Sequence, residues 1–415
     1  MPQWRRTLYT VWVTQFIGVA GFSFVTPFIP YYVQELGVTG VKEVALWAGL
    51  VTSAMAASMA VMAPIWGALA DRYGRKLMVL RASFAGAVVM TLMGFVTNVQ
   101  QLALLRFIQG ALTGTIVATT TLVASAVPKE RAGMALGSLQ MAIFLGVSLG
   151  PLLGGLSGDA FGYRPSFWVT GALLLISGIL VAVFVKEDFH PAADVAGGGL
   201  RRYGHALRLV LASGALLAAF AARILLRVGS RLLDPTLPLF IQSLMPGAGH
   251  VGTTVGIVAA VSSLGAAAGS PVIGAWSDRL GHRRLLIASS IAAALCFIPQ
   301  AFVSDPRWLI FWQLLSGFAV GGTLSTLTAL LANLSAEGRE GMVFGLDASA
   351  VSAGNALGPI LGETAAGQLG LAAPFLVAAL MFGISAAAVV VWVRDGSRPR
   401  MNTERRQSNG AQVQD

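Results

Sequence analysis

The sequence predicts an all-α membrane protein in which twelve transmembrane helices form two pseudo-symmetric six-helix bundles. Three observations lead to this fold class. Of the 415 residues, 55% are hydrophobic and only 11% are charged, whereas a soluble domain carries about 25% charged residues. Long apolar runs are separated by short polar loops, and one charged stretch occurs in each half. The runs are continuously apolar rather than alternating, which excludes a transmembrane β-barrel.

Twelve runs reach the roughly 20 apolar residues that a helix needs to cross a bilayer. The predicted spans are residues 8–34, 45–67, 77–97, 100–124, 134–158, 165–186, 208–242, 251–276, 284–303, 307–332, 342–366 and 371–394. They divide the chain into an N-terminal bundle (1–186), a flexible linker (187–207), a C-terminal bundle (208–394) and a disordered tail (395–415). The first run is too long for a cleavable signal peptide.

The repeated charged stretch predicts an internal duplication. Its first copy is Gly67-Ala-Leu-Ala-Asp71-Arg72-Tyr-Gly74-Arg75-Lys76, and its second copy begins at Gly274 with Asp278 and Arg279 at the matching positions. A loop with two glycines, an acid and three bases has no place inside lipid, so we expect it to lie at a membrane face. Parallel repeats of this length are typical of secondary transporters.

The distribution of the basic residues predicts the topology. If both termini are cytoplasmic, the inner loops and tails hold 21 of the 28 bases. The outer loops then hold only Lys42, Arg164 and Arg307, which is the positive-inside pattern of a multi-pass protein of the inner, or plasma, membrane. The net charge of +10 is therefore a topological signal rather than a nucleic-acid site. The single cysteine, Cys296, excludes an intramolecular disulfide and a cysteine metal cluster.

Two predicted spans contain arginines. Arg106 lies in span 4, three residues before Gln109, and is costly there unless it faces water or a partner; the alternative is that it reaches the outer surface. Span 7 contains Arg223, Arg227 and Arg231 on one stripe, because residues four apart share a helix face. Asp234 follows three residues after Arg231, so we expect a local ion pair and a positive surplus on that helix.

Glycines and prolines repeat between the halves as well. Span 5 contains Gly146, Gly150, Pro151, Gly154 and Gly155, and span 11 contains the same pattern 208 positions later, ending in Glu363. Small residues at a spacing of four let helices approach closely. Paired prolines near the ends of spans 1 and 7 predict bends in both halves.

Together these motifs resemble the major facilitator superfamily, in particular its twelve-span bacterial drug–proton antiporter branch. Residues 67–77 resemble the family's loop 2–3 signature, Arg106 with Gln109 and Gly110 resembles its span 4 signature, and 146–155 resembles the span 5 signature that is typical of antiporters. The resemblance implies two bundles around a cavity that opens alternately to each side. It also implies that Arg106 assists proton transfer, and that Gly150 with Pro151 shapes the span 5–span 8 interface.

The resemblance further implies a cytoplasmic latch. Asp71 would face the start of span 11, and Arg72 or Arg75 would pair with an acid such as Glu130. The residues that we assign to this latch are Gly67, Asp71, Arg72, Gly74, Arg75, Lys76, Glu130, Asp278, Arg279 and Asp347.

The sequence departs from many antiporters of this branch because span 1 has no acid, only Gln15. Proton coupling needs a carboxyl group that exchanges protons near neutral pH. Our hypothesis is that Asp234 or Glu363 is this group, tuned by Arg231 and Arg106. The alternatives are that Asp234 only neutralises Arg231, and that Glu363 faces outer water.

The predicted function is proton-coupled export of drugs or other small amphipathic compounds by alternating access. Phe22, Met141, Phe144 and Trp276 are candidate cavity residues. Because of the arginine stripe, a transporter of organic anions or of a neutral metabolite such as a sugar remains an alternative, and a non-transporting receptor is a distant alternative.

No nucleotide-binding P-loop, nucleophile–base motif or metal cluster is visible, so we expect neither an enzyme nor a cofactor. The expected partners of the monomeric chain are its substrate, protons and the bilayer, with the proton gradient as energy source.

Overall fold

The structure is a computed structural model that describes residues 2–128, 131–187, 214–247, 250–334 and 340–393. The predicted linker and tail therefore lie largely outside the described residues. The helices are α1 (Gln3–Val25), α2 (Ile29–Glu35), α3 (Val41–Tyr73), α4 (Arg75–Met93), α5 (Val99–Leu112), α6 (Thr115–Ala126), α7 (Ala132–Phe161), α8 (Arg164–Phe184), α9 (Gly214–Arg231), α10 (Thr236–Leu244), α11 (Val251–Leu280), α12 (His282–Gln300), α13 (Pro306–Leu334), α14 (Glu340–Leu369) and α15 (Ala373–Trp392).

The all-α membrane fold is confirmed. Within the described ranges, nine helical stretches are long and apolar enough to cross a membrane. The other three predicted spans correspond to α5 with α6, to α9 with α10, and to α14, so twelve spans are consistent with the structure. Large apolar side chains cover the outer helices; on α8 they are Leu175, Ile176, Ile179 and Val183, all exposed. Such a surface fits lipid rather than water.

The predicted extent of the polar loop at residues 67–76 is wrong. Residues up to Tyr73 continue α3, Arg75 already begins α4, and Gly74 alone breaks the helix with φ at +95°. Gly281 breaks the second copy in the same way, with φ at +97°. Glycine adopts this left-handed conformation at little cost, so one residue turns the chain. We call the face that carries these two turns the signature face, and the opposite face the distal face.

Three spans are interrupted. α1 passes through a 3-10 turn at Thr26–Phe28 into α2, and α9 passes through residues 232–235 into α10. These breaks confirm the predicted bends, since Pro27 and Pro235 lie in them and cannot donate a helical hydrogen bond. The break between α5 and α6 was not predicted; Gly114 has φ at +124° there.

The repeated glycines pack the helices of both halves by the same rule. A methyl group added at Gly154 of α7 would collide with the carbonyl oxygen of Phe24 in α1. In the other half, a methyl group at Gly362 of α14 would collide with the carbonyl oxygen of Leu232, next to α9. Gly150 likewise faces α1, through the carbonyl oxygen of Ala20, so its predicted place at the span 5–span 8 interface is corrected.

Two interfaces join the helices before the linker to those after it. In one, α7 packs on α11, where Pro151 and Gly155 approach the backbone of α11 at Gly256 and Gly252. In the other, α3 packs on α14, where Gly49 approaches Glu363. Both close approaches lie toward the distal face, because α7 and α14 end there and α3 and α11 begin there.

Candidate functional site: a buried carboxyl group and an arginine stripe

Glu363 is fully buried in α14. Its Oε1 accepts a hydrogen bond of 3.0 Å from the Thr236 hydroxyl at the start of α10, while its Oε2 has no hydrogen-bond partner among the described residues. Its side chain lies against Gly49 of α3, where a Cβ would come within 2.8 Å of the glutamate Cγ. The carboxyl group therefore lies at the contact between the two halves, and the alternative that it faces outer water is wrong.

No positively charged side chain pairs with Glu363 among the described residues. Among the described residues Glu363 forms no ion pair, so neither Arg106 nor Arg231 touches it as the tuning hypothesis required. Burying a charged carboxylate without a partner is expensive, whereas the protonated carboxyl group is neutral and can also donate a hydrogen bond. The site thus suits a carboxyl group that is protonated while the interface is closed and can exchange its proton when water enters.

Glu363 has a counterpart in the first half. It follows Gly362 as Gly155 follows Gly154, and Gly155 makes the equivalent cross-half approach to α11. The first copy of the motif thus ends in two small residues, and the second ends in a carboxylic acid. Gly49 on the facing helix supplies the space that the acid needs, which is why a glutamate fits at a close interface.

Arg223, the first arginine of the stripe, is paired. Its guanidinium binds both carboxylate oxygens of Asp347 in α14, with Nη2 at 2.6 Å from Oδ2, and Nη2 also donates to the Thr328 hydroxyl. Both members of the pair are buried. The assignment of Asp347 to the latch is therefore corrected, because its carboxylate binds a stripe arginine within the C-terminal half.

Arg227 and Arg231 share one acceptor, the side-chain oxygen of Asn355 in α14. Their Nε atoms lie 2.9 Å and 3.3 Å from this oxygen. Arg231 also binds Asp234 at 2.7 Å, which confirms the predicted ion pair. No carboxylate pairs with Arg227 among the described residues. The stripe therefore keeps one uncompensated positive charge, as predicted, although Asp347 was not foreseen as a neutralising partner.

Arg106 does not reach the outer surface, so that alternative is wrong. Its side chain is 2% exposed and donates from Nη1 to Gln109 Oε1 at 3.2 Å and to Met55 Sδ at 3.7 Å. Its Nε and Nη2 atoms have no hydrogen-bond partner in the described ranges. A buried guanidinium with free donors is a costly arrangement that fold stability alone does not favour.

A cavity of about 470 Å³ lies between the signature-side halves of α7 and α11. Met141 and Phe144 line it, with Gln140 and Ser148 as polar neighbours, which agrees with two of the four predicted cavity residues. Phe22 and Trp276 do not line this cavity. Phe22 lies within the first half near Gly86, and Trp276 is 53% exposed.

The structure describes some of the predicted latch residues at the signature face. Glu187, at the start of the predicted linker, accepts hydrogen bonds from the backbone N–H groups of Arg75 and Lys76 at 2.9 and 2.7 Å. It therefore caps the first turn of α4, where a negative charge is favoured. The Arg72 guanidinium lies over the Tyr73 ring, and Asp278 is 73% exposed, 4.0 Å from His282. Glu130 and the Asp71 side chain lie outside the described residues, so their pairing stays a prediction.

Hydrogen bonds also join the halves at the distal face. Asp159, near the end of α7, accepts from the backbone N–H groups of Gly252 and Thr253 at 2.9 and 2.7 Å, so it caps α11 across the interface. Gln34 binds Gln242 at 3.1 Å. Burial, reinforced by the carboxylate of Asp159, raises the pKa of Tyr163 beside this cap above its usual range, so its phenol stays neutral. These contacts hold the distal face closed.

A duplicated helical bundle, with glycine-packed interfaces and a cavity between its halves, points to one family. The sequence model of the Major Facilitator Superfamily matches residues 11–245 and 219–415. The chain belongs to the Major Facilitator Superfamily. It is 35% identical over 382 residues to the multidrug resistance protein MdtG of Enterobacter lignolyticus, covering 91% of this chain and 90% of the relative. The MdtG protein of Dickeya zeae is also 35% identical, over 92% of this chain and 93% of its own length.

Solved structures show the same superfamily fold. The nucleoside transporter NupG aligns with a TM-score of 0.75 at 16% identity, covering 93% of this chain and 98% of its own. A bacterial homologue of the human lysosomal transporter Spinster, in an inward-facing and occupied conformation, aligns with a TM-score of 0.75 at 13% identity, covering 94% and 97%. At these identities the likeness concerns the fold alone.

Proposed function

We propose that the protein is a proton-driven antiporter that exports drugs or other small amphipathic compounds by alternating access. The observation that carries this proposal is Glu363, a fully buried carboxyl group at the contact between the two halves. The names of the MdtG relatives, multidrug resistance proteins, support the substrate class. The Major Facilitator Superfamily model supports transport driven by a gradient rather than an enzymatic reaction.

Glu363 is a better candidate for the coupled proton than Asp234. Asp234 is bound to Arg231 at 2.7 Å, and a carboxylate beside a guanidinium is stabilised in its charged form. Within the part of the chain that the structure describes, Glu363 has the Thr236 hydroxyl as its single hydrogen-bond partner. When α14 moves away from α3 at the distal face, outside water reaches the carboxyl group and supplies a proton. The neutral group can then be buried as the helices close, and the proton leaves toward the cytoplasm. Proton binding is thereby linked to the opening of one face.

The proposed orientation places the signature face in the cytoplasm of a cell whose inner membrane holds the protein. The six membrane spans before residue 187 and the six from 208 to 394 are the two bundles, joined by the linker 187–207 and followed by the tail 395–415. The distal contacts of Asp159 and Gln34, together with the cavity on the signature side, support an inward-facing state. The protein acts as a monomer in the bilayer, and it has no role in nucleic-acid binding.

The latch residues act when the cytoplasmic side closes. In this proposal, the residues around Gly74 and those around Gly281 hold the signature face shut in the outward-facing state, and Asp71 faces the start of α14. The helix packing of Gly150 on α1 and of Gly155 on α11 keeps the bundles tight against leak while they rock. Arg106, with unpaired donors, assists proton transfer or binding inside the N-terminal half.

The test uses inside-out vesicles from cells that express the chain. A proton gradient, acidic inside, is imposed, and uptake of the fluorescent lipophilic cation rhodamine 6G is followed. We expect accumulation that collapses when a proton ionophore is added and that is absent from vesicles without the protein. Asp71→Asn serves as the latch variant and should slow uptake. Uptake that is absent, or that the ionophore leaves unchanged in inserted and folded protein, would contradict the proposal.

A further inference from the structure

We propose that Arg227 and Arg231, held by Asn355, form a subsite that binds the anionic group of an amphipathic substrate, a carboxylate or a sulfonate. The inference rests on the proposed transport function and adds the substrate class. The guanidinium groups of Arg227 and Arg231 lie on one helix face, one turn apart. Both donate from Nε to the side-chain oxygen of Asn355, and each has further N–H donors. Planar oxyanions are the ligands that such paired guanidinium groups bind best.

The helix contacts hold both arginine side chains in place. A methyl group at Gly354 of α14 would meet the Cβ of Arg227 at 2.6 Å, and one at Gly358 would meet the Cβ of Arg231 at 2.5 Å. The stems therefore lie close against the small residues of α14. Asn355, between these glycines, accepts from both Nε atoms. The two Nε atoms are thus fixed, and the Arg227 Nη atoms remain for a ligand.

Of the three arginines in the stripe, Arg227 has no carboxylate partner among the described residues. Asp347 neutralises Arg223, and Asp234 neutralises Arg231. Arg227 has a neutral amide as its partner and no carboxylate among the described residues. An unpaired guanidinium inside a membrane span is costly and is retained where it meets water or a ligand. Both side chains keep exposed surface; for Arg231 it is 40% of the side chain.

Comparison of the two halves shows that helix packing does not need the arginine pair Arg227 and Arg231. Arg223 has a polar counterpart in the first half, because Gln15 of α1 occupies the equivalent position. Gln15 accepts a hydrogen bond from the Thr119 hydroxyl, whereas Arg223 donates to the Thr328 hydroxyl. The positions equivalent to Arg227 and Arg231 are Val19 and Ser23. Helix packing at these positions is satisfied in the first half without charge. The arginine pair is therefore an addition that packing does not require.

The test measures equilibrium binding without any gradient, so it is independent of transport. The purified full chain in lipid nanodiscs is titrated with rhodamine B and, separately, with rhodamine B ethyl ester, and fluorescence anisotropy is read against empty nanodiscs. The two probes differ only in one carboxylate. We expect rhodamine B to bind about tenfold more tightly than the ester, the size of one charge-assisted contact. Arg227→Gln should abolish this difference, and Arg227→Lys should retain part of it.

Arg307→Gln is the matched control, because it removes one positive charge from an exposed position in the first turn of α13 and should leave the tenfold preference unchanged. Asn355→Leu should weaken rhodamine B binding by removing the shared acceptor, while the ester binds as before. Equal affinity for the two probes in the natural protein, or an undiminished preference in Arg227→Gln, would overturn the subsite. Failure of gradient-driven uptake with intact rhodamine B preference would contradict the transport mechanism and leave the subsite supported.

Discussion

At the scale of single residues, the buried polar groups of this protein divide into those that stabilise the fold and those that cost stability. The Arg223–Asp347 pair makes two short hydrogen bonds and has a further hydroxyl partner. Arg106 is equally buried but has two nitrogen atoms without partners. The first arrangement satisfies its charges, whereas the second leaves a cation inside the bundle. Replacing Arg223 should therefore lower the stability of the fold, whereas replacing Arg106 should raise it.

For the Arg223–Asp347 pair, we expect Arg223→Gln or Asp347→Asn alone to destabilise the protein by about 3–5 kcal/mol, because each leaves a buried charge unpaired. The double variant should recover most of the loss, since two neutral amides can bind each other. Thermal unfolding of the purified protein in detergent measures all three variants. Single and double variants that lose stability additively would show that the pair is not coupled.

For Arg106, we expect Arg106→Gln to raise the midpoint of thermal unfolding by about 2 °C or more while transport falls. The physical reason is that the variant removes an unpaired buried charge. The second half shows that the change fits, because Gln313 occupies the equivalent position and hydrogen-bonds to Gln300 at 3.0 Å. A lower midpoint would instead assign Arg106 to the structural framework.

At the scale of helices, the protein is built on close approaches that only glycine allows. Gly154 and Gly362 make equivalent contacts in the two halves, because each lies against a backbone carbonyl oxygen of the neighbouring chain segment. We expect Gly154→Ala and Gly362→Ala each to lower the unfolding midpoint, because the added methyl group forces the helices apart. Gly137→Ala on the same helix as Gly154 meets nothing within 4 Å, so it should be neutral or slightly stabilising.

The helices themselves could largely be predicted from the sequence, because apolar runs and the repeat of the motifs carry that information locally. The positions of the turns could not. Residues 67–73 read as a polar loop, yet they continue α3 until Gly74, since charged side chains at a helix end reach water without ending the helix. The bends at Pro27 and Pro235 were predicted because proline interrupts the hydrogen-bond pattern wherever it lies.

The candidate site was predicted only in part. The stripe of arginines and the ion pair of Arg231 with Asp234 follow from spacing along one helix. Asn355, Asp159 and Glu187 were missed as partners, since each binds a segment distant in the chain and tertiary packing alone decides such pairs. One feature of the sequence could have identified Asn355 as a partner, because it is the only polar side chain in the glycine-rich run 354–358.

At the scale of the whole molecule, the distal contacts hold the two halves together on one side. We expect Asp159→Ala to shift the protein toward a distal-open state, because α11 loses the carboxylate that caps it from the other half. Cysteines at Gln34 and Gln242, in a Cys296→Ala background, report the closed state by cross-linking. Cross-linking should fall by about tenfold in the Asp159 variant. Asp305→Ala, in a distal loop with only a local contact to Arg307, should not change it.

We propose that Glu363 carries the coupled proton at the contact between the halves. The most direct measurement compares the natural protein with Glu363→Gln in proteoliposomes, following gradient-driven rhodamine 6G uptake and, separately, exchange of rhodamine 6G without a gradient. Glutamine keeps an acceptor for Thr236 but cannot release a proton. We predict that gradient-driven uptake is lost while exchange continues. Gradient-driven uptake that survives in Glu363→Gln would show that another group carries the coupled proton.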